Sequence, residues 1–311
     1  MDVGTTIGAL ALPCPVLAAS GTAGHGAELA AYGDLAALGA VVVKSLAAEP
    51  WTGNPAPRVH GTAGGAAMLN SVGLQGPGVE AWVADELPAL QATGARVVVS
   101  LWGRSVGDFR KAAELVAAAP DGIAAVEVNL SCPNLDGGRH LFAQSPSDSA
   151  DVIGEVVDAL GGGRPVWAKL TAVTASIVEV AGAAAEAGAA AVTCINTLLG
   201  LGIDVERRSY VLGSGPAGGG LSGPAIHPVA VRAVHDVHRA LPDLAVIGVG
   251  GVVSGVDAVE LLLAGASAVQ VGTATFADPR ACWRVADELR SWCMEHGVAS
   301  VRELIGAVHG R

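Results

Sequence analysis

Short apolar runs rich in valine and isoleucine alternate along the chain with longer, alanine-rich stretches in which apolar residues recur every three or four positions. Such runs are typical of strands buried on both faces of a parallel sheet, and the stretches between them are typical of crossover helices. Strands are predicted at residues 15–19, 40–44, 96–101, 124–130, 165–170, 190–196, 245–250 and 268–272. Helices are predicted at residues 27–38, 79–93, 106–119, 147–160, 175–187, 228–240, 255–264 and 274–296. Eight strand and helix units in succession predict a closed (β/α)8 barrel, the TIM-barrel fold.

Three of the predicted strand-to-helix connections are much longer than the roughly 2 to 6 residues usual in this fold. They cover residues 45–78, 131–146 and 197–227. All three would emerge at the carboxyl ends of the strands, where barrel enzymes build their sites. The stretch 213–224 is rich in glycine and proline, and within an eight-strand count it is interpreted as a mobile loop over the site rather than a linker. Residues 1–311 are expected to form one domain, because a barrel needs about 250 residues.

The composition excludes several classes of protein. With 51% hydrophobic and 15% charged residues the chain can bury a large core, so intrinsic disorder is excluded. A formal net charge of -11 with no cluster of lysine or arginine argues against a nucleic-acid partner. Prolines and glycines interrupt the uncharged stretch 3–27, and Asp2 stands where a signal peptide would be basic, so no membrane segment is expected. The five cysteines form no CxxC pair, which favours a reducing compartment and a cytoplasmic protein.

Glycines end the last two predicted strands. The seventh strand runs into Gly248-Val249-Gly250-Gly251 and the eighth into Gly272-Thr273, and a predicted helix follows each. Backbone N–H groups without neighbouring side chains can approach a phosphate, and this is the usual phosphate position of the barrel fold. The alternative is that these glycines only make tight turns. The phosphate site is favoured because both strands show the pattern.

Lysine is rare in this chain, and two of its three lysines follow apolar strands. Lys44 comes after Val41-Val42-Val43 and Lys169 comes after Val166-Trp167-Ala168, whereas Lys111 lies on a polar helix face and is assigned to the surface. A cation at the end of a buried strand needs a partner, such as a ligand carboxylate or a reduced flavin. Alternatively, each lysine extends its stem towards solvent.

The fourth strand leads into the segment Glu127-Val128-Asn129-Leu130-Ser131-Cys132-Pro133-Asn134. An exposed thiol near positive charge can act as a base or a nucleophile, although a loop cysteine by itself is more often inert. Amide side chains on the same face are Asn70, Asn129, Asn134 and Asn196, the last followed by Thr197. Amides offer both donors and acceptors, which suits a flat imide or urea-like ligand, while capping of loops is their other common use.

The remaining candidates are weaker. Cys14, Cys194, Cys282 and Cys293 are interpreted as small hydrophobic residues packed in the core. The eight histidines show no metal-binding spacing such as HExxH, so no metal site is expected.

In these residues the chain resembles the class 1 dihydroorotate dehydrogenases, barrel enzymes of pyrimidine synthesis that use flavin mononucleotide (FMN). The resemblance runs from about residue 2 to residue 305. It rests on ordered motifs, which are Ala19-Ser20-Gly21, Val43-Lys44-Ser45, Gly53-Asn54-Pro55-Ala56-Pro57-Arg58, Leu69-Asn70-Ser71-Val72-Gly73-Leu74-Gln75, residues 129–134, Lys169, Ile195-Asn196-Thr197, Gly220-Leu221-Ser222-Gly223-Pro224-Ala225-Ile226, Gly250-Gly251 and Gly272-Thr273. So many matches in order are highly specific.

The resemblance implies a role for each of these residues. Cys132 would be the base that takes the C5 proton of dihydroorotate while C6 passes a hydride to FMN, and Lys169 would stabilise negative charge at the N1/C2 edge of the reduced flavin. Residues implied to bind dihydroorotate or orotate are Lys44, Asn70, Ser71, Val72, Gly73, Leu74, Asn129, Asn134, Asn196 and Thr197. Residues implied to bind FMN are Ser20, Gly21, Lys44, Ser45, Ser100, Asn129, Lys169, Ile195, Gly223, Gly250, Gly251, Gly272 and Thr273.

Several motifs resemble the 1B type of the family. They are residues 195–200, 220–226 and 276–279. A serine in place of Cys132 would have indicated the membrane-associated, quinone-using class 2. The 1B resemblance implies one FMN per chain, a homodimer, and a second subunit that carries FAD and a [2Fe-2S] cluster and passes electrons to NAD. This chain has no cysteine set for such a cluster, which agrees.

Three residues depart from the 1B pattern. Ser100 stands where many 1B sequences have asparagine near the flavin, Trp102 replaces a small residue, and His227 stands where lysine is common. The first two departures bear on flavin contacts and on the choice of electron acceptor.

Other activities fit some of the same residues. A fumarate-using 1A-type enzyme is one, and a related flavin oxidoreductase acting on another dihydropyrimidine is a second, because the same amides would fit any such ring. Lys169 at a strand end is also compatible with a Schiff-base aldolase barrel. A non-catalytic binding or scaffold subunit is disfavoured by the presence of Cys132, Lys44 and Lys169.

Overall fold

Eight parallel strands close into a barrel in the computed structural model, which describes residues 1–62, 65, 67–131 and 141–310. Along the chain the strands are β1 (Thr5–Ile7), β2 (Leu10–Leu12), β3 (Val16–Ala18), β4 (Val41–Val42), β5 (Val59–Gly61), β6 (Met68–Asn70), β7 (Val97–Leu101), β8 (Ile123–Asn129), β9 (Val166–Leu170), β10 (Ala191–Cys194), β11 (Leu198–Gly200), β12 (Ile203–Asp204), β13 (Ser209–Tyr210), β14 (Gly219–Ser222), β15 (Ala245–Val249) and β16 (Ala268–Val271). The α-helices are α1 (Val79–Asp85), α2 (Leu87–Ala92), α3 (Val106–Ala117), α4 (Pro146–Leu160), α5 (Ile177–Glu186), α6 (His227–Ala240), α7 (Gly255–Ala264), α8 (Ala274–Ala277) and α9 (Ala281–Glu295). Short 3-10 helices cover Glu28–Ala31, Leu35–Ala37, Phe142–Gln144, Gly215–Ala217, Pro224–Ile226 and Val301–Leu304.

The barrel strands follow one another in the order β3, β4, β7, β8, β9, β10, β15 and β16, and β16 pairs with β3 to close the ring. Nearly every residue of these strands is buried, which is why they form continuous apolar runs in the sequence. The predicted (β/α)8 TIM barrel is therefore confirmed. Each barrel strand falls in one of the eight predicted runs, although β8 begins one residue before its run.

The hairpin β1–β2 closes the amino end of the barrel, and the sequence pattern did not predict it. The two strands are antiparallel, with Thr5 opposite Leu12. Thr5 Oγ1 donates a hydrogen bond of 2.7 Å to the carbonyl oxygen of Ser267, just before β16. Ile7 and Leu12 pack in one buried cluster with Trp167. This end of the barrel is filled, and the opposite end carries the long connections.

The first predicted helix is wrong. Residues 27–38 form two separate 3-10 turns, and the second begins where the Asp34 side chain accepts a hydrogen bond from the Ala36 N–H. Gly33 between them packs so closely on Trp283 that a Cβ would lie 2.6 Å from a ring carbon. Close packing against α9 therefore takes precedence over the helical propensity of the alanines.

Two other predicted helices are divided. The helix predicted at 79–93 is split between α1 and α2, and Pro88 supplies no N–H to continue α1. The helix predicted at 274–296 is split between α8 and α9 next to Pro279. The remaining five agree with α3 to α7 within two residues. In the described part of the chain, no helix is both long and apolar enough to cross a membrane.

Two of the long connections meet above the barrel. Strands β5 and β6 from the first connection and β11 and β14 from the third form a four-stranded antiparallel sheet in the order β11, β14, β6, β5. The two connections join where Gly220 pairs with Asn70. The prediction of a mobile loop at 213–224 is therefore wrong, because Gly219–Ser222 is an inner strand of this sheet. We call it the cover sheet.

Candidate active site

A cavity of about 330 Å³ lies where the carboxyl ends of the barrel strands meet the cover sheet. The predicted site residues that line it are Ser20, Gly21, Lys44, Ser45, Asn70, Ser71, Val72, Gly73, Leu74, Asn129, Lys169, Ile195, Asn196, Thr197, Gly223, Gly250, Gly251, Gly272 and Thr273. They come from seven of the eight barrel strand ends, all but that of β7, and from both long connections of the cover sheet. The fold thus brings residues that are far apart in the sequence to one cavity.

Ser100, a predicted cofactor residue, lies behind the cavity wall. It is completely buried, and its Oγ is 2.9 Å from the Oγ of Ser45, which itself lines the cavity and lies 3.4 Å from the Oγ of Ser20. Trp102 is also absent from the cavity wall and packs edge-on against Trp51, with ring centroids 5.8 Å apart. Ser100 therefore contacts the cavity wall through Ser45, and Trp102 contacts Trp51, whose Nε1 donates to the carbonyl oxygen of the cavity residue Gly73 at 3.0 Å.

The predicted residues Cys132 and Asn134 lie outside the described residues. The described residues on either side of their segment are Ser131 and Leu141, and both line the cavity. The two described residues that flank positions 132–140 are therefore both at the cavity.

Asn129 organises the polar floor of the cavity. It ends β8 opposite Lys169 of β9. Its Nδ2 donates to the Oγ of Ser45 at 3.3 Å, and its Oδ1 accepts from the backbone N–H of Ser131 at 3.2 Å and from the Nδ2 of Asn196 at 3.1 Å. Because these partners belong to different strand ends, the network fixes the orientation of both amides.

The first long connection brings Asn70 to the cavity from the cover sheet. The Nδ2 of Asn70 donates to the carbonyl oxygen of Gly220 at 3.3 Å. Arg58 braces this connection, since its Nε donates to the carbonyl oxygen of Asn54 at 2.6 Å. Asn54 in turn donates to the carbonyl oxygen of Ser71 at 3.1 Å. Arg58 and Asn54 belong to a motif found in the sequence, and the structure gives them a supporting role.

The opposite wall of the cavity is made of backbone. Gly250 and Gly251 have φ angles of 139° and 69°. A Cβ on Gly250 would lie 2.7 Å from that of Ala230, and a Cβ on Gly251 would lie 2.7 Å from that of His227. The Nδ1 of His227 is 2.8 Å from the carbonyl oxygen of Gly250, so it holds this turn in place. Together with Gly272-Thr273, the turn offers backbone N–H groups to an anion.

The charged side chains that line the cavity are basic. Lys44 and Lys169 line it, whereas no aspartate or glutamate does among the described residues. Burial, followed by the positive charge of Lys44, lowers the pKa of His25. The charged groups that face the cavity are therefore ammonium groups, in a chain whose net charge is -11. This arrangement suits an anionic ligand.

Comparison with known proteins decides the family. Residues 3–293 match the family model described as dihydroorotate dehydrogenase. The chain belongs to the dihydroorotate dehydrogenase family. It is 42% identical over 307 residues to "Dihydroorotate dehydrogenase B (NAD(+)), catalytic subunit" of Geobacter sulfurreducens, covering 99% of this chain and 98% of the relative. It is 47% identical over 303 residues to the protein of the same name from Desulforudis audaxviator, covering 97% and 96%. The predicted resemblance to class 1B dihydroorotate dehydrogenases, which are oxidoreductases, is confirmed.

Other cysteines of this dihydroorotate dehydrogenase family member lie in the core. Cys14, Cys194, Cys282 and Cys293 are buried, as predicted. Burial raises the pKa of Cys194 and Cys282 to about 12, so both thiols stay protonated at neutral pH. Among the residues that the structure describes, no group of three or more histidine, cysteine, aspartate or glutamate side chains is placed to hold a metal ion.

Part of the site was not predicted from the sequence. Further residues that line the cavity are Thr22, Val59, Met68, Leu141, Thr171, Val173, Leu199, Ser222 and Phe276. Most of them are apolar or lie on the long connections, where no regular spacing of apolar residues shows which side chains face the cavity. Glu127 was likewise given no role, although it is completely buried and lies 3.4 Å from the Nζ of Lys169. The strand period of two places Glu127 on the same face of β8 as Asn129, and this signal was present in the sequence.

Proposed function

We propose that this chain oxidises dihydroorotate to orotate in the de novo synthesis of pyrimidines, with FMN as the immediate hydride acceptor. The observation that best supports this is a single cavity with lysines and asparagines on its floor and glycine turns on its wall. Family membership and the name shared by its relatives indicate the substrate. We also propose that residues 1–311 form one barrel domain that binds one FMN.

The residues of the cavity fit FMN. The turns at Gly250-Gly251 and Gly272-Thr273 would hold the phosphate, since both line the cavity and glycine leaves backbone N–H groups uncovered. Residues proposed to hold the ring and ribityl chain are Ser20, Gly21, Lys44, Ser45, Asn129, Lys169, Ile195 and Gly223, with Ser100 acting through Ser45. When bound, FMN supplies a two-electron acceptor for the hydride that leaves C6 of the substrate.

Dihydroorotate fits the polar part of the cavity. It carries one carboxylate and a ring with alternating N–H and carbonyl groups. Lys44 would pair with the carboxylate, and amides with fixed orientations would match the ring edge. The residues proposed for this role are Asn70, Asn129, Asn134, Asn196 and Thr197, with Ser71, Val72, Gly73 and Leu74 forming the adjoining wall.

Cys132 is the proposed base. It removes the proton from C5 as the hydride leaves C6, and a C5=C6 double bond forms. Positive charge favours the thiolate form of a cysteine, and the residues that flank the Cys132 segment open on a cavity that contains two lysines. Lys169 would stabilise the negative charge of the reduced flavin.

The environment of Lys169 disfavours a Schiff-base aldolase. A Schiff-base lysine must be neutral to attack a carbonyl, whereas Lys169 faces a buried carboxylate at 3.4 Å.

We also propose where the electrons go next. The relatives are named catalytic subunits of an enzyme that uses NAD, which implies a further subunit. In this proposal a cytoplasmic homodimer of this chain passes electrons to NAD through a partner subunit that carries FAD and a [2Fe-2S] cluster. The alternative is direct transfer to fumarate, as in the 1A type.

Anaerobic titration of the FMN-loaded chain tests the substrate. Dihydroorotate should bleach the flavin with about one equivalent per FMN, whereas dihydrouracil, which lacks the carboxylate, should not. Equal bleaching by dihydrouracil would move the substrate to another dihydropyrimidine. A bound flavin that neither compound reduces would overturn the proposed reaction.

Addition of acceptors to the reduced protein tests the electron path. Neither NAD nor fumarate should reoxidise the isolated chain if a partner subunit is required. Rapid reoxidation by fumarate would assign the protein to the 1A type.

A further inference from the structure

Glu127 is a charged residue in the interior of the barrel, one layer below the cavity. Its side chain has no exposed surface. It lies on β8 two residues before Asn129, so both side chains point into the barrel. A buried carboxylate is costly unless it is paired and hydrogen-bonded. Its partners therefore indicate what it does.

One oxygen of this carboxylate is anchored from two other barrel strands. Glu127 Oε2 accepts a hydrogen bond of 3.0 Å from the Oγ1 of Thr193 on β10 and one of 2.7 Å from the Nε2 of Gln270 on β16. Both donors are themselves completely buried. The orientation of the carboxylate is fixed by the rigid barrel rather than by Lys169.

The other oxygen faces the cavity lysine. Glu127 Oε1 forms an ion pair with the Nζ of Lys169 at 3.4 Å and accepts no hydrogen bond from any described residue. The Lys169 side chain is 8% exposed and lines the cavity. A lysine stem is long and flexible, so an ammonium at this depth needs a fixed counter-ion to stay in one place.

We propose that Glu127 is a positioning residue, whose carboxylate, anchored by Thr193 and Gln270, holds the ammonium of Lys169 at the floor of the cavity where the flavin ring would lie. This inference rests on the proposed function for FMN and for the role of Lys169. Without the carboxylate, the buried ammonium has lost its fixed counter-ion, so its flexible stem carries it towards solvent. The positive charge then leaves the floor, and the reduced flavin loses stabilisation.

The midpoint potential of bound FMN tests this inference. It is measured by photoreduction against a reference dye in the wild-type chain and in Glu127→Gln, without dihydroorotate. The variant should bind reduced FMN at least tenfold more weakly relative to oxidised FMN, which lowers the potential by about 30 mV for a two-electron couple. Glu114→Gln, the same change at an exposed position on α3, should leave the potential unchanged.

Two further variants separate positioning from other effects. Glu127→Asp keeps the charge but withdraws the carboxylate from Lys169, so its potential should also fall; this variant serves if Glu127→Gln does not fold. In a Lys169→Met background, Glu127→Gln should cause no further fall. A potential that stays at the wild-type value in both Glu127 variants would overturn the inference. A rise in Glu127→Gln would also overturn it, because the carboxylate would then act by its own field.

Different results would contradict this inference and the proposed function. A chain that binds no FMN would overturn both. A flavin whose potential responds as expected but which dihydroorotate does not reduce would overturn only the substrate assignment.

Discussion

At the scale of single residues, the candidate site depends on a few side chains whose types are rare in the chain. Only three lysines are present, and the two that end apolar strands both line the cavity, whereas Lys111 is exposed and pairs with Glu49 on the surface. Rarity together with position at a strand end was enough to predict Lys44 and Lys169. Rarity did not mark Glu127, because the chain has 29 acidic residues, and only its position two residues before Asn129 in an apolar strand distinguishes it.

Replacement of the proposed base gives the first prediction. Cys132→Ser should retain FMN but reduce it with dihydroorotate about 10²- to 10⁴-fold more slowly, because a serine hydroxyl does not ionise near neutral pH and so does not supply the anionic base that a thiolate provides. Anaerobic stopped-flow absorbance measures the rate. Cys282→Ser makes the same change at a buried thiol that stays protonated, and its rate per bound flavin should equal that of the wild type. Equal rates in the two variants would remove Cys132 from its role.

At the scale of elements, the barrel was predictable and the cover sheet was not. Barrel strands are buried on both faces and follow one another along the chain, so local apolar runs indicate them. The cover sheet joins Asn70 to Gly220, which are 150 positions apart. Its strands are short and rich in glycine, and no local period identifies their partners. The connections were therefore predicted to lie over the site, but not to pair with each other.

Close packing between the cover sheet and Thr197 gives the second prediction. A Cβ on Gly220 would overlap the Thr197 side chain, which lines the cavity. Gly220→Ala should weaken orotate binding by about 1 to 3 kcal/mol, or roughly 5- to 150-fold, as expected for overpacking. The flavin absorbance shift on adding orotate reports the affinity. Gly61→Ala adds the same methyl group in the same sheet, where it meets open space, and should bind orotate normally.

The glycine wall gives the third prediction. Gly251→Ala combines a positive φ of 69° with a collision against His227, so it should displace the turn and weaken FMN binding at least tenfold. Gly297→Ala has nearly the same φ, 68°, but meets nothing within 4 Å. Gly297→Ala should therefore lose the stability that the backbone strain alone costs and keep its FMN affinity. Fluorescence titration with free FMN compares the two, and equal affinities would place the phosphate elsewhere.

At the scale of the whole molecule, histidines link stability to pH. The His238 ring packs at a tilt against that of His309, with centroids 5.0 Å apart, and the Nε2 of His309 is 3.0 Å from the carbonyl oxygen of Ala264, so these contacts tie the C-terminal segment to the barrel. Burial, and then the charges of His309 and His235, lower the pKa of His238 below its usual 6.5. The unfolded chain therefore binds the proton first, so this contribution to stability is present above about pH 6.5 and is lost as the pH falls.

The melting temperature gives the fourth prediction. It should fall as the pH is lowered from 7.5 to 5.5, and it should fall less steeply in His238→Gln. His60→Gln changes a histidine at an exposed position on β5 and should keep the wild-type slope. The same slope in all three proteins would show that His238 does not contribute to the pH dependence.

The barrel as a whole explains why the order of the strand-end motifs along the chain predicted so much of the site. A parallel barrel brings all its strand ends to one face, so motifs that follow successive strands must converge there. Lys44, Asn129, Lys169 and Asn196 were predicted in this way, from their positions at strand ends alone, and all four line the cavity. Strand order does not predict an indirect contact, such as that of Ser100 with the cavity through Ser45.

A crystal structure of the chain with FMN and orotate would test most directly whether both bind in this cavity. The phosphate is expected at Gly250-Gly251 and Gly272-Thr273, the flavin ring over Lys169, and the orotate carboxylate at Lys44. A flavin bound outside this cavity, or orotate bound away from the flavin ring, would contradict the proposed function.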